Sequence, residues 1–268
     1  MENKRTRRTA LKQKIKDLDR AAIAYSGGVD STLLLKISSD ILGEKNVLAI
    51  IVKTELCPEH DFRTALKTLN QLECRFIIIE RSVLEIKEVF QNPEDRCYRC
   101  KKEIFSTIID EAKTHKFKNV LDGTNYDDIK AGHRPGVKAL EELGIISPFA
   151  EFKIRKEEIR SWAKELGLGC WDRPSASCLA TRIPYNVQLT GDRLRLIENA
   201  EDILRNLSFK HCRVRIHGDI ARIEINEEDF KKILDGKTRR IVIRRFKELG
   251  FLYISLDIEG YRSGSMDI

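Results

Sequence analysis

The stretch Ser26-Gly27-Gly28-Val29-Asp30-Ser31 constrains this chain more than any other. Ahead of it lies Ala21-Ala22-Ile23-Ala24-Tyr25, a short apolar run of the buried-strand kind. Behind it, Thr32-Leu33-Leu34-Leu35-Lys36-Ile37 begins an apolar run suited to a buried helix. A strand, a tight turn and a helix in this order gather backbone N–H groups and the positive end of a helix dipole at one point. Two adjacent glycines let the backbone approach a phosphate closely, and the Ser26 and Ser31 hydroxyls can donate to its oxygens. Asp30 is no direct phosphate ligand, so its carboxylate implies a Mg²⁺ between it and the phosphates. An ordinary glycine turn is the plain alternative, and it leaves all six positions and their placement to chance.

The Gly-Lys-Ser/Thr ending of a Walker A loop is absent. The hexapeptide resembles instead the PP-loop of the ATP pyrophosphatase superfamily. Enzymes of that superfamily adenylate a carboxylate, amide or similar oxygen, release pyrophosphate, and let a nucleophile displace AMP. The motif speaks to the nucleotide chemistry and leaves the acceptor open.

At 268 residues the chain has room for one large domain or two smaller ones. A composition of 41% hydrophobic and 34% charged residues suits a soluble globular protein. No apolar run approaches a membrane span, and the basic start Met1-Glu2-Asn3-Lys4-Arg5-Thr6-Arg7-Arg8 lacks the apolar segment of a signal peptide. A cytoplasmic protein with no membrane partner is expected. The net charge of +7 favours anionic partners such as nucleotides, phosphates or RNA without choosing among them. The basic start runs into Leu11, Ile15 and Leu18, which reads as an amphipathic helix with a solvated face rather than a nucleic-acid arm.

Apolar strand-like runs at Ala21–Tyr25, Val47–Val52, Phe76–Ile79 and Asn119–Leu121 alternate with helical patterns near Thr32–Ile41, His60–Leu72 and Lys101–Ala112. This βαβ alternation predicts an α/β fold with a doubly wound parallel sheet, in which ligands bind at the carboxyl ends of strands. Three loops should converge there: the one at Ser26, the one at Lys53-Thr54, and Asp122-Gly123-Thr124-Asn125. Lys53, Asp122 and Gly123 therefore join Ser26, Gly27, Gly28, Asp30 and Ser31 as candidate nucleotide-binding residues. A helix at Lys156–Leu166 and the Asp172-Arg173-Pro174 turn close a first domain, residues 1–174. A second, smaller α+β domain, residues 175–268, opens with a loop at Ser175–Tyr185. Helix 191–207, strands Cys212–His217 and Ala221–Ile225, helix 227–249 and a strand at Phe251–Leu256 follow.

Seven cysteines in a chain expected in a reducing compartment direct attention to metal ligation or catalysis. Cys97-Tyr98-Arg99-Cys100 lies at a helix start among Arg96, Arg99, Lys101 and Lys102, a setting that favours thiolate. Half a zinc site, a redox dithiol, two ligands of an iron–sulfur cluster and two ordinary cysteines all remain open. Cys178 is the third candidate, in a loop of small residues. Cys57, Cys74, Cys170 and Cys212 read as structural, with Cys57 also placed to lie near the nucleotide loops. Three thiolates can hold three irons of a four-iron cluster and leave the fourth open.

Strand alternation places Arg213, Arg215 and His217 on one face, a paired-arginine surface suited to phosphate or simply to solvent. Arg182 and Thr181, beside Cys178, are further phosphate candidates. Lys101, Glu201 and Glu224 are expected to be solvated.

Over nearly its whole length the chain resembles the LarE family of ATP-dependent sulfur transferases. The resemblance rests on Ser26–Ser31, Leu121-Asp122-Gly123, Arg134-Pro135-Gly136-Val137-Lys138-Ala139 and Ser177-Cys178 with Arg182-Ile183-Pro184-Tyr185. It continues through Arg213-Val214-Arg215-Ile216-His217, Asp219-Ile220-Ala221-Arg222-Ile223-Glu224, Leu249-Gly250-Phe251 and Gly260-Tyr261-Arg262-Ser263-Gly264. It implies an adenine nucleotide alpha hydrolase-like fold and catalytic roles for Cys178 and Asp30. The implied substrate is the small nucleotide pyridinium-3,5-biscarboxylic acid mononucleotide. ATP with Mg²⁺ would adenylate a ring carboxylate, and sulfur would then displace AMP to give the thiocarboxylate of a nickel-pincer nucleotide. In one branch of the family the cysteine matching Cys178 gives up its own sulfur. In the other, cysteines matching Cys97, Cys100 and Cys178 hold a 4Fe–4S cluster carrying a transferable sulfide, and this chain has all three. The family also implies a homo-hexamer. A tRNA thiolase and a metal-storage scaffold are the competing functions, and no RNA-binding module is recognisable.

Overall fold

The structure, a computed structural model, describes residues 4–130, 135–173 and 177–262. An amphipathic helix, α1 (Lys4–Lys16), buries Leu11 and Ile15. Then follow β1 (Ala21–Ala24), α2 (Val29–Leu42), β2 (Val47–Lys53), α3 (Glu59–Gln71) and β3 (Phe76–Glu80). After α4 (Lys87–Phe90) come α5 (Arg96–Thr114), β4 (Val120–Leu121), α6 (Tyr126–Lys130), α7 (Pro135–Glu142), α8 (Pro148–Glu151) and α9 (Lys156–Glu165). Strands β1–β4 form a parallel sheet in the order β3-β2-β1-β4.

Burial along β1 and β2 explains why these runs become strands of a two-faced sheet. Ala21, Ile23, Val47, Ala49 and Ile51 face a core with α1, α2, α3 and α9 residues such as Leu11, Leu33, Ala65 and Trp162. Ala22, Ala24, Leu48 and Ile50 face a second core with Phe105, Ile108 and Ala112 of α5 and Leu140 of α7. Both faces being covered, the strands read as continuous apolar runs. Crossover helices on both faces confirm the doubly wound α/β class. Central β1 and its neighbour β4 bring their carboxyl-end loops side by side.

The basic face of α1 is tied down rather than free. Arg7 Nη2 donates to both Glu158 carboxylate oxygens (2.9 and 3.0 Å), and Arg8 forks onto Glu165 through Nη1 and Nη2 (2.6 and 3.2 Å). The Arg8 guanidinium also stacks 4.6 Å from the Trp162 ring. Among the described residues no helix is long and apolar enough to cross a membrane.

Contacts divide the chain into two units: Met1–Ser82 with Asp95–Ala176, and Val83–Glu94 with Ser177–Ile268. The inclusion of 83–94 in the second unit has a local cause. The Asn92 carboxamide donates to the Pro184 carbonyl (2.8 Å), while Asn186 and Leu189 donate to the Asn92 and Phe90 carbonyls (2.8 Å each). The boundary expected between 174 and 175 lies outside the described residues. So do Arg134, the start of the loop at Ser175–Tyr185, and Ser263-Gly264.

The second unit holds α10 (Gly191–Asn206), β5 (Cys212–His217), β6 (Ile220–Ile225), α11 (Phe230–Leu234), α12 (Gly236–Glu248) and β7 (Tyr253–Leu256). β5 and β6 pair antiparallel, and β7 adds to β6 in parallel. The helix expected over 227–249 is broken at Asp235, whose carboxylate accepts from the Lys237 and Thr238 amides and starts α12 anew.

Candidate functional site

The hexapeptide follows β1 and opens α2. Ser31 Oγ accepts from the Ser26 amide (3.3 Å), lies 3.1 Å from Ser26 Oγ and donates to the Gly28 carbonyl (3.2 Å). The serines thus first tie the turn to itself. Gly27 takes φ +77°, and a Cβ there would stand 2.5 Å from Ala65 Cβ of α3, so only glycine fits. Gly28 caps α2 without a side-chain bond to the first-turn amides. Beneath the turn, burial pushes the Tyr25 phenol up to about 12, and its hydroxyl lies 3.1 Å from Thr32 Oγ1.

The loop after β4 packs directly on this turn. A Cβ on Gly123 would come 2.8 Å from the Ser31 nitrogen and 3.0 Å from Asp30 Cβ. Asp122 is buried, which pushes its carboxyl up, opposed by hydroxyl donation from Ser147 and Thr124 and by the Lys101 charge. Asp30 receives the Asn125 carboxamide (3.2 Å) and the Lys156 ammonium. Lys156 starts α9, and its amide donates to Asp127 (2.8 Å). The sequence reading missed Lys156, because a lysine at a helix start carries no signal of a contact 126 residues away. Lys53 pairs with Glu59 (3.2 Å) and lies 4.7 Å from the Phe62 ring centre.

Cys97 and Cys100 occupy the first turns of α5, half-buried and three residues apart, hence on one side of the helix. The surrounding cations are partly matched: Arg99 bonds Asp95 (2.8 Å), and Lys102 bonds Glu142 (3.1 Å) and the Tyr98 hydroxyl (3.0 Å). A buried Arg96 places Nη2 3.8 Å from Cys97 Sγ. Lys101 is half-buried. Its chain lies against the α7 backbone, where a Cβ on Gly136 would meet Lys101 Cδ at 2.8 Å. Cys74, Cys170 and Cys212 are buried, whereas Cys57, Cys97, Cys100 and Cys178 are half-buried, and none is in a disulfide. Among the described residues no group of three or more His, Cys, Asp and Glu side chains is gathered as for a metal ion.

In the second unit, Cys178 precedes a single 3₁₀ turn, Leu179–Arg182. Arg182 is 1% exposed. Its Nε and Nη2 grip Glu201 (2.9 and 3.2 Å), and its Nη1 donates to the Ser177 carbonyl (2.9 Å), Ser177 Oγ (2.7 Å), the Cys178 carbonyl (2.9 Å) and Thr181 Oγ1 (2.9 Å). Arg215 grips Glu224 (3.0 and 2.9 Å) and donates to the Thr181 carbonyl (2.5 Å). The Thr181 hydroxyl donates to the Cys178 carbonyl (2.9 Å). Arg213 donates to the Cys212 carbonyl (2.8 Å) and stacks 5.3 Å from the Tyr261 ring.

Two expectations fail at this point. Glu201 and Glu224 are not solvated; both are fully buried in ion pairs. The arginine face of β5 is neither solvated nor open, since Arg213 and Arg215 are 9% and 4% exposed. Burial pushes the Glu201 carboxyl up, but Arg182 above all, with Arg213 and Arg205, outweighs it and holds the group below the usual carboxylate range. Burial, then the neighbouring Arg182 charge, lowers Arg213.

Comparison with known proteins fits this geometry. The family model described as NAD synthase matches residues 5–115, the part that contains the PP-loop. The pyridinium-3,5-bisthiocarboxylic acid mononucleotide synthase of Lactiplantibacillus plantarum is 37% identical over 262 residues, covering 98% of this chain and 94% of the relative. The chain belongs to the LarE family. Like the other members it is an ATP-dependent enzyme of the PP-loop kind. An uncharacterized protein of Synechocystis sp. is 38% identical over 96% of this chain and 95% of its own length. Another from Methanocaldococcus jannaschii is 38% identical over 94% of each chain.

Two outcomes follow for this LarE-family chain. Gly123→Ala must displace the Asp30–Ser31 backbone, so ATP should bind on the order of tenfold more weakly or worse. ATP titration checks this, and an unchanged affinity contradicts the contact. Glu201 is depressed in the folded state, so its stabilisation is present above the unfolded value of about 4.3 and is lost as pH falls through the folded value. The unfolding free-energy gap between the native chain and Glu201→Gln, about 3 kcal/mol at neutral pH, should therefore shrink on acidification below that range. Urea unfolding at a series of pH values reads it.

Proposed function

We propose that this enzyme adenylates a carboxylate of pyridinium-3,5-biscarboxylic acid mononucleotide and converts it to a thiocarboxylate. The observation that carries this reading is the double-walled anion cradle, Ser26–Ser31 backed by Gly123, in a chain collinear with a named synthase of that nucleotide's product. The amides of Gly27, Gly28 and Ser31 would receive the phosphates of ATP, aided by the positive end of α2. Asp30 would hold the accompanying Mg²⁺, with Asn125 fixing its carboxylate and Lys156 released to phosphate oxygens. Asp122 and Gly123 wall the same site. A substrate carboxylate oxygen then attacks the α-phosphorus, the bond to the β-phosphate oxygen breaks, and pyrophosphate leaves. Attack of sulfur at the carbonyl carbon expels AMP.

For the sulfur, Cys97, Cys100 and Cys178 would hold a 4Fe–4S cluster, which when bound supplies a sulfide that can be replaced after each turnover. The donor set suits it: all three thiols are half-buried and outside disulfides, and two share one side of a helix start among cations that favour an anionic group. Of the four residues expected at the substrate phosphate, Arg213 supports that role best. It is crowded by Arg182 around one shared carboxylate, and an added anion would relieve that repulsion. A cytoplasmic homo-hexamer completes the proposal.

Anaerobic purification followed by iron and sulfide assay tests the sulfur source, alongside Cys97→Ser and Cys178→Ser. The native chain should carry about four irons and form thiocarboxylate over many turnovers. Each variant should lose iron and repeated turnover. Iron-free active protein that becomes one sulfur lighter at Cys178 would overturn the cluster in favour of sacrifice of that cysteine.

A further inference from the structure

We propose that Arg182 and Glu201 are positioning residues that fix the backbone on both sides of Cys178, and that Arg182 is not a ligand of the substrate phosphate. The inference rests on the reading above only in taking Cys178 as the cysteine of sulfur transfer. The geometry begins with the guanidinium. One nitrogen, Nη1, donates to the carbonyl before Cys178 and to the carbonyl of Cys178 itself, at 2.9 Å each. Those carbonyls belong to the two peptide planes that meet at the Cys178 Cα. Holding both planes fixes φ and ψ of Cys178, here −63° and 150°, and so fixes the direction of its Cα–Cβ bond. Thr181 adds a second hold on the Cys178 carbonyl through its amide (3.1 Å) and hydroxyl (2.9 Å).

The other edge of the same guanidinium is gripped by Glu201, which also accepts from Arg205 (2.7 Å) and the Val214 amide of β5 (3.2 Å). Glu201 lies on α10, so the clamp anchors the Cys178 turn to a helix and a strand at once. Arg215, gripped by Glu224 of β6, secures the far end of the turn at the Thr181 carbonyl. Two buried arginine–carboxylate pairs therefore converge on a four-residue turn.

Stability is a poor reason for this construction. Removing two charges from water offsets most of their attraction, and an apolar pair of similar volume often does as well. What apolar residues cannot do is donate to two carbonyls at once. A phosphate role for Arg182 fails on the same geometry: its Nε–Nη2 edge, the one that would grip an anion in two prongs, already holds Glu201, and the side chain is sealed from solvent.

Arg182→Lys in the full chain tests this, because it keeps the buried charge beside Glu201 while a single ammonium cannot hold Glu201 and both carbonyls. Glu201→Gln is the second variant, since it removes the anchor without touching the turn. In each, kcat for thiocarboxylate formation should fall about tenfold to a hundredfold while KM for ATP and for the mononucleotide stays within about twofold. Amide hydrogen exchange in segment 178–183 should rise by about an order of magnitude more than in β5 and β6. Unchanged exchange in that segment overturns the clamp. A raised KM for the mononucleotide with kcat retained also overturns it, as Arg182 would then touch substrate. If the native chain forms no thiocarboxylate, the proposed function fails, and the exchange measurement still decides the clamp.

Discussion

The contact of the Gly123 backbone with Asp30 and Ser31 is the constraint on which the proposed nucleotide site depends. It exists because β1 and β4 are neighbours in a parallel sheet, so the loops leaving their carboxyl ends cannot avoid each other. Each loop supplies what the other lacks. The turn at Ser26–Ser31 presents amides and a helix dipole, while the loop after β4 brings Asn125 to the Asp30 carboxylate and buries Asp122. Gly27, pressed against Ala65, fixes the same turn from the α3 side. With three backbones in contact, little adjustment is left to side chains. The turn is fixed by its own packing, which is what the proposed anion site needs if its amides are to replace water without reorganising.

The second unit uses a different means to the same end. There the backbone of interest, around Cys178, is held by side chains instead of by neighbouring strands. Arginine forks, each backed by a buried glutamate, replace the hydrogen bonds that a regular element would have provided. A one-turn 3₁₀ helix has few internal bonds, so a cysteine at its start would otherwise wander through several rotamers and backbone angles. Activation and sulfur delivery, as proposed, thus draw on rigid geometry from opposite sources: main chain in one unit, buried ion pairs in the other.

Much of this was legible in the residues. Continuous apolar runs gave away a sheet buried on both faces, and the Gly-Gly turn was correctly placed between β1 and α2. Of the four cysteines read as structural, Cys74, Cys170 and Cys212 are buried, while Cys57 is half-buried like Cys97, Cys100 and Cys178. What escaped was everything set by distant partners. Strand alternation correctly put Arg213 and Arg215 on one face of β5, but nothing in that pattern shows that the 3₁₀ turn covers the face. Glu201 and Glu224 look like solvent-facing acids until Arg182 and Arg215 are placed beside them. Lys156 and Asp30, and the return of segment 83–94 to the second unit, depend on contacts across tens of residues. Periodicity reports the face a residue occupies and is silent about what lies opposite.

The central claim is that ATP is split by attack of a substrate carboxylate on its α-phosphorus. It is tested most directly by following oxygen. With the pyridinium biscarboxylate mononucleotide labelled with ¹⁸O in its carboxylates, each turnover should release pyrophosphate free of label and AMP carrying one ¹⁸O, matched to one thiocarboxylate formed. ADP and inorganic phosphate as products, or AMP without the label, would contradict the account.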